Sequence, residues 1–424
     1  MIDRSKSSIR AAGAVPETTD EHRSDPPWPS ATTRVAVAGF LTTAVTFGPA
    51  RSAFGLFVPV FRSEFGLRTA EVGLIAAVGY LGFLAGLVVA LRAGRRRATV
   101  VCGAVAATAG MATIASAPHA TILAVGVFTA SSSAGVTWTP FNAITERAVP
   151  SDRSDSTLAI VSTGTALGLA GTGSVAAMVV GDGLAWRQAW AAFALAGVVV
   201  AIAAAVLLPR PPSPPPRPKR WLRELRLAAS CPGTPRLLIT GSITGVGSSV
   251  WVAFAVDAVV AEDGGGRLGS SLVGPAMFVV LGACGLVAVG TGRLISRSSL
   301  AVTTRAALAA IAVSLILVGA VPSELPAALC SAGLQGVGIM VASACLASAS
   351  LRLHHARPVE GFTAVLLAVG GGNIVGAASA GALADRFGLG ATLVAIGSAL
   401  AAASYVVTQP RRPRNSSADE DGPA

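Results

Sequence analysis

The chain of 424 residues has 52% apolar and only 12% charged side chains, about half the charged share of a typical soluble protein. So few charges cannot cover a water-exposed surface of this size, which excludes a soluble globular fold. The formal net charge of +11 would favour a nucleic-acid partner only if the basic residues shared one folded face. Most of them lie between apolar runs instead, so we expect a lipid bilayer as partner and no nucleic acid.

Twelve apolar runs are long enough to cross a bilayer core of about 30 Å. Residues 1–34 precede them and are predicted to form a disordered cytoplasmic tail, because they are polar and have no signal-peptide pattern. The predicted spans are residues 35–61, 71–91, 98–116, 120–145, 157–180, 188–208, 237–261, 270–291, 301–320, 326–350, 361–384 and 389–408. The fold class predicted is therefore an all-α membrane protein with twelve transmembrane helices.

The spans fall into two groups of six. Residues 35–208 are predicted to form an N-terminal six-helix bundle and residues 237–408 a C-terminal one, joined by a cytoplasmic Pro/Arg-rich linker at 209–236. Residues 409–424 form a second cytoplasmic tail. Three glycines of the fifth span recur in the eleventh at a constant offset of 208: Gly164, Gly168 and Gly173 against Gly372, Gly376 and Gly381. This repeat indicates two pseudo-symmetric bundles.

The basic residues predict the orientation, since cytoplasmic loops carry an excess of Lys and Arg. With both termini in the cytoplasm, 26 of the 32 basic residues lie in cytoplasmic segments and 5 in outer segments. The chain has 30 Arg against 2 Lys and is rich in Ala and Gly, a composition associated with GC-rich bacterial genomes. We therefore predict a multi-pass protein of the bacterial inner membrane with both termini cytoplasmic.

Three loop segments combine glycine with basic residues. They are Arg92-Ala93-Gly94-Arg95-Arg96 after the second span, Gly292-Arg293-Leu294-Ile295-Ser296-Arg297 after the eighth, and Gly381-Ala382-Leu383-Ala384-Asp385-Arg386-Phe387-Gly388 between the eleventh and twelfth. Over about residues 35–408 the chain resembles the major facilitator superfamily, which carries such a motif after its second helix. The third segment is the full match. The acidic residue of the family's loop is replaced by Leu91 in the second-span segment.

The resemblance implies a transporter that works by alternating access as a monomer, without a cofactor. In the family the acid of that loop pairs across the two halves and helps to hold the outward-open state, so its loss puts that contact in doubt. No subfamily is assigned. The resemblance implies a role in conformational switching for eight residues: Arg92, Gly94, Arg95, Arg96, Gly292, Arg297, Asp385 and Arg386.

Arg51 is the one deep charge, and it lies near the middle of the first span. A central Arg costs roughly 2.5–3.5 kcal/mol on membrane insertion scales, so we expect it to meet water, a carboxylate or a substrate. Gly48-Pro49 just before it should kink the helix. Two interpretations stay open at this point: a structural ion pair, or an anchor for an anionic substrate.

The resemblance implies that spans one, four, seven and ten line the transport cavity. Besides Arg51, the substrate-binding candidates on these spans are Trp138, Asn142, Trp251 and Gln335. Buried polar groups in a membrane are costly unless used. Trp251 and Gln335, like Asn373 of the eleventh span, could instead form hydrogen bonds between helices.

Asp257 and Glu360 are the candidates for gating or proton coupling. Asp257 lies 206 residues after Arg51, at a nearly equivalent place in the seventh span, and we expect an Arg51–Asp257 contact that closes the outer end. A solvated acid at the interface is the alternative. Glu360 lies at a span end, where a solvated cap is the default.

The sequence favours a secondary active transporter of a small solute, with an organic anion as the substrate class. A drug or metabolite efflux pump of the same fold is one alternative, and a non-transporting membrane receptor or partner protein is another. We expect no enzyme, because a Walker loop and clustered catalytic groups are missing from the sequence. No metal site is expected from five scattered cysteines, and His354-His355 is expected in a solvated loop.

Overall fold

The computed structural model describes residues 30–93, 96–181, 185–209, 221–262 and 270–408, and these residues are helical without any strand. The first half contains Ala31–Phe47, Pro49–Leu56, Val58–Phe65, Thr69–Arg92, Arg96–Ala115, Ala120–Ala148, Ser151–Gly181 and Trp186–Leu207. A linker helix follows at Trp221–Ala229. The second half contains Thr234–Glu262, Ser270–Gly285, a 3-10 turn at Leu286–Gly290, Thr291–Arg297, Leu300–Ala320, Leu325–Leu353, Pro358–Phe387 and Leu389–Thr408.

Within the described ranges, ten helices are long and apolar enough to cross a bilayer, and the bent first span makes an eleventh. The shorter apolar helix Leu389–Tyr405 completes the set. The twelve-span, all-α fold is therefore confirmed. Below, "outer" denotes the end of the molecule that the charge count predicts to face away from the cytoplasm, and spans are numbered in chain order.

The first span is broken twice, at Gly48 and at Phe57. Each break precedes a proline, Pro49 or Pro59, which has no N–H for the helix ladder. The Ser52 hydroxyl donates to the Phe47 carbonyl at 2.9 Å and so satisfies an acceptor beside the first break. The large bend, 53°, lies at Phe57. The sequence therefore predicted the break at Gly48 and missed the sharper one nearer the outer end.

The two halves meet where the second span packs on the eleventh and the fifth packs on the eighth. Glycine makes both contacts close. A Cβ on Gly73 would lie 2.5 Å from the Ala377 carbonyl oxygen, and one on Gly173 would lie 2.5 Å from that of Pro275. Small residues allow helices in a membrane to approach backbone to backbone. Gly173 and its repeat partner Gly381, which lies against Gly73, are both part of this packing.

Glu64 links the outer end of the first span to the start of the sixth through hydrogen bonds. Its carboxylate accepts from the Trp186 indole N–H at 2.6 Å and from Arg187 at 2.5 Å, and Arg187 also donates to the Ala117 carbonyl at 2.9 Å. These bonds tie three spans of the N-terminal half together at its outer end.

The linker helix is docked on the C-terminal half through His354. The Nε2 atom of His354 lies 2.9 Å from the Thr234 hydroxyl and 3.1 Å from the Ala228 carbonyl, and Nδ1 lies 3.1 Å from the Ser350 carbonyl. His354 is 3% exposed. The expectation of a solvated loop is therefore wrong for His354, because the linker helix covers it, whereas His355 is exposed.

Candidate functional site

Arg51 lies on the helix Pro49–Leu56, in the middle of the molecule, among aromatic rings. Its guanidinium carbon is 4.6 Å from the ring centre of Phe83, 5.5 Å from that of Phe47 and 5.7 Å from that of Tyr80. Within the described part of the chain Arg51 forms no ion pair, and its buried Nε has no hydrogen-bond partner. The arrangement stabilises a cation by contact with ring faces, but no described residue supplies a counter-ion for its charge.

A small cavity of about 10 Å³ adjoins Arg51, which is about the space that one water molecule needs. Its walls come from both halves: residues of the first, second and fourth spans, such as Tyr80 and Ser131, and Val252 with Ala253 of the seventh. Arg51 therefore lies at the junction of the two bundles.

Trp138 of the fourth span is the second candidate that the structure brings to this region. Its ring meets the ring of Phe47 edge-on at 5.6 Å, and Phe47 also touches the Arg51 guanidinium. The buried indole N–H of Trp138 has no hydrogen-bond partner among the side chains that the structure describes. The side chain of Asn142, one turn further on, lies outside the described residues, so its role stays a prediction.

Trp251 and Gln335 lie in a buried hydrogen-bond network of the C-terminal half. The Trp251 indole donates to Ser331 at 2.8 Å, and Ser331 donates to the Ser314 carbonyl at 2.7 Å. The Ser314 hydroxyl donates to the Gln335 amide oxygen at 2.6 Å, and the Gln335 amide donates to the Gly247 carbonyl at 3.3 Å. These groups are engaged between helices in this state, and substrate contact by Trp251 or Gln335 stays a prediction.

Asp257 does not contact Arg51. It accepts from Arg62 at 2.6 Å, and its side chain is 4% exposed. The two residues do not meet because they lie at different depths along the first and seventh spans. Gly55 packs on Val252, Arg51 lies four residues to the inner side of Gly55, and Asp257 lies five residues to the outer side of Val252. At 1.5 Å per residue the two charges are separated by about 13 Å along the helices. The predicted Arg51–Asp257 contact is therefore wrong, since equal repeat position does not mean equal depth.

Asp385 makes a second contact across the halves at the outer end. Its carboxylate accepts from the backbone N–H of Ala70, in the first turn of the second span, at 3.2 Å. An acid at a helix N-terminus satisfies a free donor and interacts favourably with the helix dipole. We call the Arg62–Asp257 pair, the Asp385–Ala70 bond and the Gly55–Val252 contact the outer gate.

The other switch residues lie on the surface or beyond the described ranges. Arg92 and Arg386 are exposed in the last turns of the second and eleventh spans, and Gly292 and Arg297 are exposed in the helix Thr291–Arg297. Gly94 and Arg95 lie outside the described residues, as does the side chain of Arg96. Glu360 is half-buried in the first turn of the eleventh span, at the inner end. Their switching and coupling roles stay predictions.

Gly55 allows the first span to lie close against the seventh, and we expect Gly55→Ala to separate the two spans at the outer gate. A Cβ at this position would lie 1.6 Å from the Val252 carbonyl oxygen, which no side-chain adjustment relieves because the obstacle is backbone. Spin labels at the exposed positions Ser63 and Glu262, near the outer ends of spans one and seven, should report a longer distance in the variant. Gly171→Ala, where a Cβ meets nothing within 4 Å, is the matched control. Unchanged distances in Gly55→Ala would contradict this role.

Comparison of the sequence with known families agrees with this architecture. The profile described as Major Facilitator Superfamily matches residues 37–358, well over half of the chain. The chain belongs to the major facilitator superfamily. No curated protein matches its sequence significantly.

Solved structures of other major facilitator proteins share the fold. The nucleoside transporter NupG has a TM-score of 0.71 at 11% identity, covering 90% of this chain and 100% of its own. A bacterial homolog of the human lysosomal transporter Spinster, described as inward-facing and occupied, has a TM-score of 0.66 at 14% identity, covering 89% and 96%. A POT family transporter in complex with 5-aminolevulinic acid has a TM-score of 0.69 at 12% identity, covering 89% and 95%. At these identities the likeness shows the fold alone.

Sequence reasoning missed three features of this major facilitator site. Tyr80 and Phe83 share a face of the second span at a spacing of three residues, a signal that could have indicated an aromatic partner for Arg51. Arg62 is one of the five basic residues that the charge count places in outer segments, and the lengths of the first and seventh spans could have indicated that it lies at the depth of Asp257. No sequence signal indicated that His354 would be covered by the linker helix.

Proposed function

We propose that this chain is a secondary active transporter that moves a small organic anion across the bacterial inner membrane by alternating access. The observation that carries the proposal is the state of Arg51: a cation at membrane depth, beside a cavity between the halves, without an ion pair in the described residues. The anion would supply the missing counter-ion. The orientation, with both termini cytoplasmic, rests on the excess of Arg in the predicted cytoplasmic loops.

The energetics favour an anion over a cation at this site. Each cation–π contact contributes roughly 0.5–2 kcal/mol, which offsets part of the cost of a buried guanidinium without neutralising it. A carboxylate can accept two parallel N–H bonds from the planar guanidinium and so cancels the charge. A lipophilic cation would meet like-charge repulsion from Arg51. The aromatic rings of Phe47, Tyr80 and Phe83 would then cover the apolar part of the anion.

The outer gate supports alternating access as the mechanism. Its three contacts join the halves at the outer end. We infer that the structure represents a state closed at the outer end. Transport would exchange this state for one in which the outer gate separates and the inner end closes, with Asp257 and Glu360 as candidates for coupling to protons.

The proposal is tested by ligand-dependent thermal stability of the purified protein. The panel contains small carboxylates, neutral sugars and nucleosides, and lipophilic cations. A ligand at about one hundred times its dissociation constant adds roughly 2.7 kcal/mol of stability, which shifts the melting temperature measurably. We expect carboxylates to stabilise the protein and the other two groups to have no effect. Stabilisation by lipophilic cations alone would contradict the anion proposal and favour drug efflux.

A further inference from the structure

Asn373, near the middle of the eleventh span, is the one described buried side-chain amide with neither atom in a hydrogen bond. Its side chain is fully buried, at 0% exposure. Gln335 offers a direct comparison, because its amide is equally buried and both of its atoms are bonded to neighbouring helices. Interhelical bonding therefore accounts for Gln335 and leaves Asn373 unexplained.

An amide buried without partners is unfavourable, because desolvation of its donor and acceptor is not compensated. Buried polar atoms in proteins almost always have a partner, and where the protein supplies none, a water molecule or a ligand commonly does. In a membrane-spanning segment such a group is rare and marks a functional position. The unsatisfied amide of Asn373 thus points to a molecule that binds beside it.

Helix geometry aims Asn373 at the junction of the second and seventh spans. Gly370 and Ala377 face the second span, where they meet Leu84 and Gly73. Gly372 and Gly376 face the seventh span, where they meet Ser242 and Ser249. With 3.6 residues per turn, Asn373 points between these two faces.

The same contacts give the depth of Asn373. Since Ala377 lies level with Gly73 and Gly370 with Leu84, Asn373 lies between them, close to the level of Tyr80. The Tyr80 ring is in contact with the Arg51 guanidinium. Asn373 and Arg51 therefore border the same junction at similar depth, one from each half of the protein.

We propose that Asn373 is the second anchor of the substrate, contributed by the C-terminal half. This inference rests on the proposed function: Arg51 binds the carboxylate, and the Asn373 amide binds a hydroxyl group elsewhere on the same small anion. The amide oxygen accepts the hydroxyl proton, or the amide NH₂ donates to the hydroxyl oxygen, so the substrate supplies a hydrogen-bond partner to Asn373. The substrate class is thus a hydroxylated organic acid rather than a plain alkyl carboxylate.

Binding of such a substrate would also connect the two halves of the transporter. The charge is held by the N-terminal half and the hydroxyl by the C-terminal half. A site built to bind a hydroxyl discriminates strongly against the analogue without it, because its polar groups are then left unpaired. A plain carboxylate would reach Arg51 and leave Asn373 unsatisfied, so it would be bound more weakly.

The test uses pairs of acids that differ by one hydroxyl: lactate with propionate, 3-hydroxybutyrate with butyrate, and malate with succinate. Their dissociation constants are measured on the wild-type protein and on Asn373→Leu, which keeps the number and branching of the side-chain heavy atoms and removes both polar atoms. We expect the wild type to prefer at least one hydroxylated partner by about tenfold or more, in line with a lost hydrogen bond. Asn373→Leu should bind both members of that pair with equal, weak affinity.

The ligand-free melting temperature separates a binding role from a packing role. Replacement of an unsatisfied amide by leucine should raise the melting temperature, since function and stability are opposed at such positions. Replacement of a packing amide would lower it. A wild-type preference that survives in Asn373→Leu, or a lower melting temperature, would overturn the inference while the anion site stands. If no carboxylate binds the wild type, the proposed function fails and this inference fails with it.

Discussion

Replacement of Arg51 by glutamine is expected to weaken anion binding by about 10- to 100-fold and to stop uptake of the anion into proteoliposomes. The reason is that a hydrogen bond to a charged group contributes about 1.5–3 kcal/mol, and a factor of ten corresponds to 1.4 kcal/mol. Glutamine retains a polar end but no charge. The measurement is the dissociation constant of the best stabilising carboxylate, together with its initial rate of uptake.

Two further variants test whether the effect of Arg51→Gln comes from the loss of this particular guanidinium group. Arg51→Lys keeps the charge but not the planar group that lies on Phe83 and donates two parallel bonds, so we expect intermediate affinity. Arg352→Gln removes an exposed arginine at the inner end of the tenth span and should bind as the wild type does. Equal affinity in Arg51→Gln and wild type would show that Arg51 has a structural role and that the anion binds elsewhere.

The second large effect is expected at the outer gate, where Arg62→Leu should shift the protein toward the outward-open state. Asp257 is 4% exposed and would be left buried without its donor, at a cost of about 1–3 kcal/mol. Opening of the outer gate would expose the Asp257 carboxylate to water and so remove this cost. Asp257→Leu should have a smaller effect, because the Arg62 side chain is 32% exposed and can turn to water. The double variant should resemble Asp257→Leu, since apolar residues replace a buried pair well.

Distances between spin labels at Ser63 and Glu262 measure these populations directly. A cost of 1.4 kcal/mol corresponds to a tenfold change in the ratio of open to closed states, which is visible as a second, longer distance. The label distances should lengthen in Arg62→Leu and stay short in the other two variants. If Arg51→Gln lengthened the distances and Arg62→Leu did not, the charge pair of the gate would have been assigned to the wrong arginine.

The sequence was sufficient for the fold because apolar runs, turns and charge bias are local or additive properties. The twelve spans and the all-α class follow from them, the break at Gly48 follows from Pro49, and the resemblance to the superfamily rests on the glycine- and arginine-containing loop segments. The same reasoning identified Arg51, because a charge in the middle of an apolar run is visible without any knowledge of packing.

The contacts of the site depend on relative helix depth and rotation, which the sequence does not encode locally. Arg62 pairs with Asp257 because the first span is bent at Phe57 and because Gly55 sets its level against the seventh span. Gln335 and Asn373 are both amides with similar neighbours in the sequence. Both amide atoms of Gln335 form hydrogen bonds to other helices, whereas neither amide atom of Asn373 does so among the described residues. Only the packed structure separates them.

The position of Asp385 indicates which conformation we expect the protein to favour in the absence of substrate. The resemblance to the superfamily leads one to expect an acid after the second helix, where it would favour the outward-open form, but Leu91 stands there. The acid that contacts a helix N-terminus across the halves is Asp385, at the opposite end of the molecule. With the orientation predicted from the arginines, we expect this contact to favour a resting state that is closed toward the outside.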